Sequence, residues 1–253
     1  MKKTALVTGA TAGIGYATAT LLARNDFNVI ITGRRGDRLN QLKDKLLKDT
    51  KAEIYPLVFD VRKHDAVVKA LESLPEAWRE IDVLVNNAGG AAGLDLFHEA
   101  NLEDWETMID ANVKGLLYVS QEVAKGMVKR NSGHIVNIGS IAGREVYEKG
   151  SVYCSTKAAV DALSRGMRID LLKHNIKVTN IEPGMVETEF SLVRLKGDKD
   201  KAAKVYEGLT PLYAEDIAEA ILFAVSRPAH VNINDMLIMP TAQASATYVN
   251  RES

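Results

Sequence analysis

The stretch Ala5-Leu6-Val7-Thr8-Gly9-Ala10-Thr11-Ala12-Gly13-Ile14-Gly15 decides the fold. It opens as a short apolar run, Ala5–Thr8, turns through three glycines, and enters Gly13–Arg24, where apolar residues recur at helical spacing. A strand handed to a helix through glycines suits an anionic ligand. Glycine admits tight backbone conformations, and its missing side chain lets a pyrophosphate come close. The helix start adds unpaired N–H groups and partial positive charge. The spacing is Gly-x-x-x-Gly-x-Gly rather than the common Gly-x-Gly-x-x-Gly fingerprint, so a plain tight turn stays open at this point.

Outward from this turn the same alternation repeats. Further strands are expected at Asn28–Thr32, Glu53–Phe59, Val83–Asn86, His134–Ile138, Lys177–Ile181 and Met236–Met239. Most are nearly continuous apolar runs, as in strands covered on both faces of a parallel sheet. Helical patterns separate them at Gly36–Asp49, His64–Ser73, Asn101–Arg130, Val152–Lys173 and Ala214–Ser226. The fold class is therefore α/β: a single Rossmann-like doubly wound domain, with a parallel seven-stranded sheet and helices on both faces. No Pro/Ser/Gly linker or internal repeat divides residues 1–253. A substrate loop is expected at about 185–212. Within it, the charged stretch Ser191–Gly208 fits either a solvated segment or a lid. Pattern does not place the polar tail, 240–253.

Composition excludes several classes. With 46% hydrophobic and 26% charged residues, the 253-residue chain is neither disordered nor fibrous. Its 32 Lys and Arg nearly balance 33 Asp and Glu, so no global field attracts nucleic acid. A lone cysteine, Cys154, forbids an intrachain disulfide or a Cys-based zinc site; it is expected to be a packed residue of a cytoplasmic protein. The histidines (His64, His98, His134, His174 and His230) lack metal-ligand spacing, and no metal is expected. No apolar run nears the roughly 20 residues that span a bilayer. The run after Met1-Lys2-Lys3 ends at Gly9, too early for a secretory core.

The second strand ends Thr32-Gly33-Arg34-Arg35. NAD-binding chains of this architecture place an acid there for the ribose 2′-hydroxyl. Here the acid is missing, Gly33 leaves room, and two guanidinium groups follow. Such forks suit a phosphate dianion, whereas two bare cations at a helix start oppose its dipole. The expected cofactor is NADP.

With these segments in hand, the chain resembles the short-chain dehydrogenase/reductase family over nearly its whole length. The glycine turn matches that family's Thr-Gly-x-x-x-Gly-x-Gly, followed in order by Asp60-Val61, Asn86-Asn87-Ala88-Gly89, Asn112, Ser140, the pair Tyr153 and Lys157, then Pro183-Gly184 and Thr188. The resemblance implies cofactor contacts at Gly9, Thr11, Ala12, Gly13, Ile14, Gly15, Arg34, Arg35, Asp60, Val61, Asn87, Ala88, Gly89, Tyr153, Lys157, Pro183, Gly184, Val186 and Thr188. It also implies a catalytic set of Asn112, Ser140, Tyr153 and Lys157, with Lys157 on the nicotinamide ribose and Asn112 holding a water that links Lys157 to solvent. Tyr153 and Lys157, four apart on a helical pattern, share a face. A nearby ammonium favours phenolate, so Tyr153 is expected to shuttle the hydroxyl proton with a lowered pKa. Ser140 is expected to hold the carbonyl oxygen.

A narrower resemblance, to the NADP-dependent 3-hydroxy acid (serine and allo-threonine) dehydrogenases, rests on Gly33-Arg34-Arg35, Leu74-Pro75-Glu76-Ala77-Trp78, residues 104–110, Ile181-Glu182-Pro183-Gly184 and residues 228–234. It implies a small hydroxy acid substrate and a homotetramer. A substrate carboxylate calls for a cation, and Arg144 and Arg194 are the candidates; Glu145, Glu148 and Glu189 stand near them and either pair with those arginines or receive a substrate ammonium. A ketoacyl thioester or general carbonyl reductase is the alternative enzyme. A non-catalytic NADP sensor fits poorly, because Asn112, Ser140, Tyr153 and Lys157 are all present.

Overall fold

The computed structural model describes residues 2–252. Seven strands form one parallel sheet: β1 (Lys3–Val7), β2 (Phe27–Gly33), β3 (Ile54–Val58), β4 (Val83–Asn86), β5 (Gly133–Ile138), β6 (Ile176–Pro183) and, after two short strands, β9 (Asp235–Ile238). Their order is β3-β2-β1-β4-β5-β6-β9. The two short strands, β7 (Val186–Glu187) and β8 (Leu212–Tyr213), pair with each other at either end of the expected substrate loop.

The continuous apolar runs mark burial on both faces. Ala5, Val7, Val29 and Ile31 point into one core cluster, and Leu6, Ile30, Leu84 and Ile135 into the other. Helices α1 (Gly13–Arg24), α2 (Gly36–Asp49) and α9 (Ala214–Val225) cover the first face; α3 (His64–Glu72) and α5 (Leu116–Arg130) help cover the second. β1 pairs with β2 on one side and β4 on the other. The chain therefore reverses its winding there, and the loops leaving β1 and β4 diverge into a crevice.

The segment expected as one helix over 101–130 is divided. α4 (Leu102–Ile109) passes through a π turn, Asp110–Gly115, before α5. At this wider turn Asn112 leaves the helix surface, and its side-chain amide binds Gly90 and Thr156. α6 (Ser151–Asp170) stops before the expected end, in a 3-10 turn at Leu172–His174.

His134 lies on β5 and is 3% exposed. Its Nε2 meets Thr179 Oγ1 at 2.8 Å, while that hydroxyl donates to the Ile233 carbonyl at 2.6 Å. The hydroxyl's one proton is thus committed, so Nε2 must donate, and Nδ1 is left bare and without a partner. Burial, with smaller contributions from Lys177 and Lys3, pushes the imidazole down to about 3. The unfolded chain takes this proton below about pH 6.5, whereas the native chain refuses it until about 3. Stability is therefore lost as pH falls through that window, at about 1.4 kcal/mol per unit. Urea unfolding at pH 7 and pH 5 is expected to show a loss of about 2 kcal/mol that is largely absent in His134→Gln. Equal losses in the two proteins would remove His134 as the cause.

Candidate active site

A cavity of about 880 Å³ occupies the crevice, large enough for a cofactor and a small substrate together. Thr8 ties its floor. The Thr8 hydroxyl accepts from the Asn87 and Ala88 N–H groups at 3.0 and 2.9 Å, and Asn87 Nδ2 donates back to the Thr8 carbonyl at 2.9 Å. This stitching brings β1 so close to β4 that a Cβ at Gly9 would stand 2.9 Å from Asn87 Nδ2, on a backbone with φ +68°. A Cβ at Gly15 would collide with the Gly9 carbonyl and Asn87. Ala12 caps α1 without any side-chain hydrogen bond, which leaves the first N–H groups of that helix facing the cavity. This cradle fits the diphosphate of a dinucleotide.

Thr11, Arg34, Arg35, Asp60 and Val61 line the outer end. Arg35 donates to Thr11 Oγ1 from Nε at 3.2 Å and Nη2 at 2.6 Å. The Asp60 carboxylate is gripped by Arg62 at 2.7–3.0 Å. Burial would raise the Asp60 pKa, but Arg62 outweighs it and holds the group below its ordinary range. Gly13, Ile14, Ala88, Gly89, Pro183, Gly184, Val186 and Thr188 continue the lining towards the inner end.

At that inner end α6 presents Tyr153 and Lys157, both buried, against Ser140 in the loop after β5. Lys157 Nζ donates to the Ile138 carbonyl at 2.8 Å and lies 5.9 Å from the Tyr153 ring centre. Burial alone lowers Lys157 to about 8. Tyr153 departs from expectation: burial drives its pKa up, and the opposing pull of Ser140 and Arg194 is too small to reverse this. The sequence supplies the neighbouring cation but not the dryness of the site. Ser140 Oγ accepts the Ala142 N–H at 3.1 Å and is 3.4 Å from the Pro183 carbonyl.

Asn112 makes no hydrogen bond to Lys157 among the described residues. Its amide donates to the Gly90 carbonyl and Thr156 hydroxyl, both at 2.9 Å, and accepts the Gly90 N–H at 2.8 Å. It pins the Asn86–Gly90 turn to α6.

The two candidate cations separate. Arg144 turns away from the cavity to pair with Glu182 on β6, with Nε at 2.8 Å and a second contact through Nη2. Glu182 is 1% exposed, and a carboxylate so buried demands a charged partner. Arg144 is thereby withdrawn as a substrate residue. Arg194, the last residue of α7 (Phe190–Arg194), lines the cavity with its guanidinium 5.4 Å from the Tyr147 ring centre and 5.5 Å from that of Tyr153. Its Nη1 donates to Tyr147 Oη at 2.8 Å and its Nε to the Gly93 carbonyl at 3.2 Å.

The glutamates sort likewise. Glu145 accepts the Ala246 N–H, Glu148 lines the cavity, and Glu189 pairs with Arg35 and Arg38. Sequence reasoning missed Arg38, Tyr147 and the tail. Gln243 accepts the Met185 N–H at 2.8 Å, and the Glu252 N–H reaches the Gly208 carbonyl at 2.7 Å. Ala246, Thr247, Val249 and Arg251 thus become cavity wall. The stretch 191–208 carries α7 and α8 (Lys199–Lys204) beside it. Cys154 is a buried free thiol. Among the described residues no cluster of His, Cys, Asp and Glu could hold a metal ion, and no helix is long and apolar enough to cross a membrane.

Comparison with known proteins gives a concordant result. The chain is 52% identical over 242 residues to the NADP-dependent 3-hydroxy acid dehydrogenase YdfG of Salmonella typhi, covering 95% of this chain and 96% of that one. It is 42% identical over 254 residues to the serine 3-dehydrogenase of Agrobacterium fabrum, with both chains fully covered. The closed form of a serine dehydrogenase complexed with NADP+ superposes with a TM-score of 0.93 at 47% identity, covering 99% of this chain and all of the other. The family model for the short chain dehydrogenases matches residues 3–197, and the chain belongs to that family.

Proposed function

We propose that the chain, as one domain, is an NADP-dependent oxidoreductase that interconverts the hydroxyl and keto forms at carbon 3 of a small 3-hydroxy acid such as serine, allo-threonine or 3-hydroxypropionate. The observation that carries this reading is the convergence of a proton donor, Tyr153, and a fixed guanidinium, Arg194, at the inner end of a dinucleotide-sized cavity. Relatives named for 3-hydroxy acids and serine support it.

The bound nicotinamide supplies or accepts the hydride. The residues of the chain do the rest. Ala12–Gly15 and Arg34, Arg35 hold the cofactor's phosphates. Ser140 donates to the substrate oxygen as charge builds on it. Tyr153 gives that oxygen its proton in reduction and removes it in oxidation, while the Lys157 ammonium stabilises the phenolate so formed. Arg194 grips the carboxylate and fixes the distance from carboxylate to reacting carbon. Asn112 keeps the Asn86–Gly90 turn and α6 in register.

The test is steady-state reduction of NADP+ against NAD+ with L-serine, D-serine, L-allo-threonine, 3-hydroxypropionate and 3-hydroxyisobutyrate. Turnover of one or more acids with NADP+ is expected. Reduction of a ketoacyl thioester or simple ketone by NADPH, with none of the acids turned over, would move the function to the rival reductase.

The proposal extends to a cytoplasmic homotetramer. Leu102 and Ile109 of α4, Leu117 of α5 and Ile169 of α6 are exposed apolar residues on the outer faces of their helices. Sedimentation equilibrium is expected to return four times the chain mass; a monomer would refute this.

A further inference from the structure

Glu189 makes an ion pair that the proposed reaction does not use. Its carboxylate accepts from Arg38 Nη1 at 2.9 and 3.1 Å and from Arg35 Nη1 at 3.4 Å. Arg35 caps α2 and Arg38 lies in its first turn. Glu189, in contrast, comes from the segment between β7 and α7 on the opposite wall of the cavity. Arg35 also reaches Thr11 in the glycine turn. The chain Thr11–Arg35–Glu189–Arg38 therefore spans the cavity mouth.

Charge explains why an acid is needed there. Two guanidinium groups stand at the positive end of α2, with Arg34 adjacent, and Asp37 is the acid of that first turn. Glu189 answers the excess with one carboxylate whose side chain is 45% exposed, a pairing that solvent keeps weak and reversible. Burial would raise the Glu189 pKa, but Arg38 and then Arg35 outweigh it, so the group is an anion at neutral pH. A phosphate carries nearly twice the charge and matches the arginine fork better.

We propose that Glu189 is a built-in stand-in for the cofactor's 2′-phosphate, neutralising Arg35 and Arg38 in the free protein and displaced when the phosphate arrives. The proposal rests on the NADP reading above. Two anions cannot share one arginine pair without repulsion, so each molecule of NADP(H) must open the Glu189 contacts, whereas NAD(H) leaves them closed. Glu189 thus sets how strongly the chain prefers the phosphorylated cofactor. Phe190 and Arg194 follow within five residues, and the Phe190 ring lies 5.7 Å from that of Tyr153.

Calorimetric titration of wild type, Glu189→Gln and Glu189→Asp with NADPH, NADH, 2′,5′-ADP and 5′-AMP tests this. Glu189→Gln is expected to bind NADPH and 2′,5′-ADP about fivefold tighter at low salt, with NADH and 5′-AMP within about twofold of wild type. The gain is expected to shrink at about 0.5 M salt, and Glu189→Asp to stay near wild type. Unchanged or weaker binding of the phosphorylated ligands by Glu189→Gln would overturn the proposal and make Glu189 a clasp over bound cofactor. Wild-type protein that binds 2′,5′-ADP no better than 5′-AMP would overturn the NADP reading itself, and this arm is independent of the variants.

Discussion

Tyr153→Phe is expected to lower turnover about a thousandfold in either direction while leaving NADPH binding unchanged. A positioned general acid or base contributes about 10²- to 10⁴-fold. The substitution removes one oxygen and keeps the ring, so the packing against Phe190 at 5.7 Å and the contacts in the small cluster with Ala142 and Cys154 survive. Steady-state assay and NADPH titration of the same preparation separate the two effects. Retained turnover would show that another group delivers the proton; lost binding would show that the Tyr153 hydroxyl also holds the cofactor.

The pH profile follows from the same pair. Burial holds the Tyr153 phenol above its ordinary range and brings Lys157 down to about 8, so Lys157 loses its proton first. The two sit on one helix face, and the first proton lost near pH 8 leaves a singly protonated pair. Within it the phenolate–ammonium form is a fixed fraction of the phenol–amine form. Oxidation, which needs phenolate, therefore climbs with pH to about 8 and then levels off. Reduction uses the phenol beside a charged Lys157, so it holds at neutral pH and declines above that value.

Much of the framework was legible because burial on both faces writes itself as uninterrupted apolar runs. Gly13–Arg24 and Gly36–Asp49 end where their periodicity ends, and the strands differ from expectation by at most a residue or two at their ends. The glycine turn was legible for a different reason: a βα crevice leaves no room for a Cβ at Gly9 or Gly15. What sequence could not supply was direction. Arg144 follows Ser140 closely, yet the buried carboxylate of Glu182, facing it from β6, claims it first. The break at Asn112 was hidden because its hydrogen-bond partners, Gly90 and Thr156, lie 22 and 44 residues away. The tail looked featureless because it is held through the Gln243 side chain at residue 185 and the Glu252 N–H at residue 208 instead of by a periodic neighbour.

That sorting of cations sets the last expectation. Arg194→Gln is expected to raise KM for a 3-hydroxy acid about a hundredfold, with kcat changed far less. The guanidinium is held on three sides, by the Gly93 carbonyl, the Tyr147 hydroxyl and the two tyrosine rings. It therefore meets a carboxylate with little rotamer entropy left to lose. Truncating one partner of a desolvated, hydrogen-bonded charge pair costs about 2–5 kcal/mol, and a hundredfold sits at the lower part of that range. Two controls keep the result from reading as mere damage. A simple secondary alcohol without a carboxylate should be oxidised by the variant within about threefold of wild type, because it never used the fork. Arg194→Lys should recover only part of the loss, since an ammonium restores charge but not the planar pair of donors. If acid and alcohol suffer equally, Arg194 acts by propping Tyr153 and Tyr147, and the carboxylate must be bound by other donors along the wall that carries Thr247.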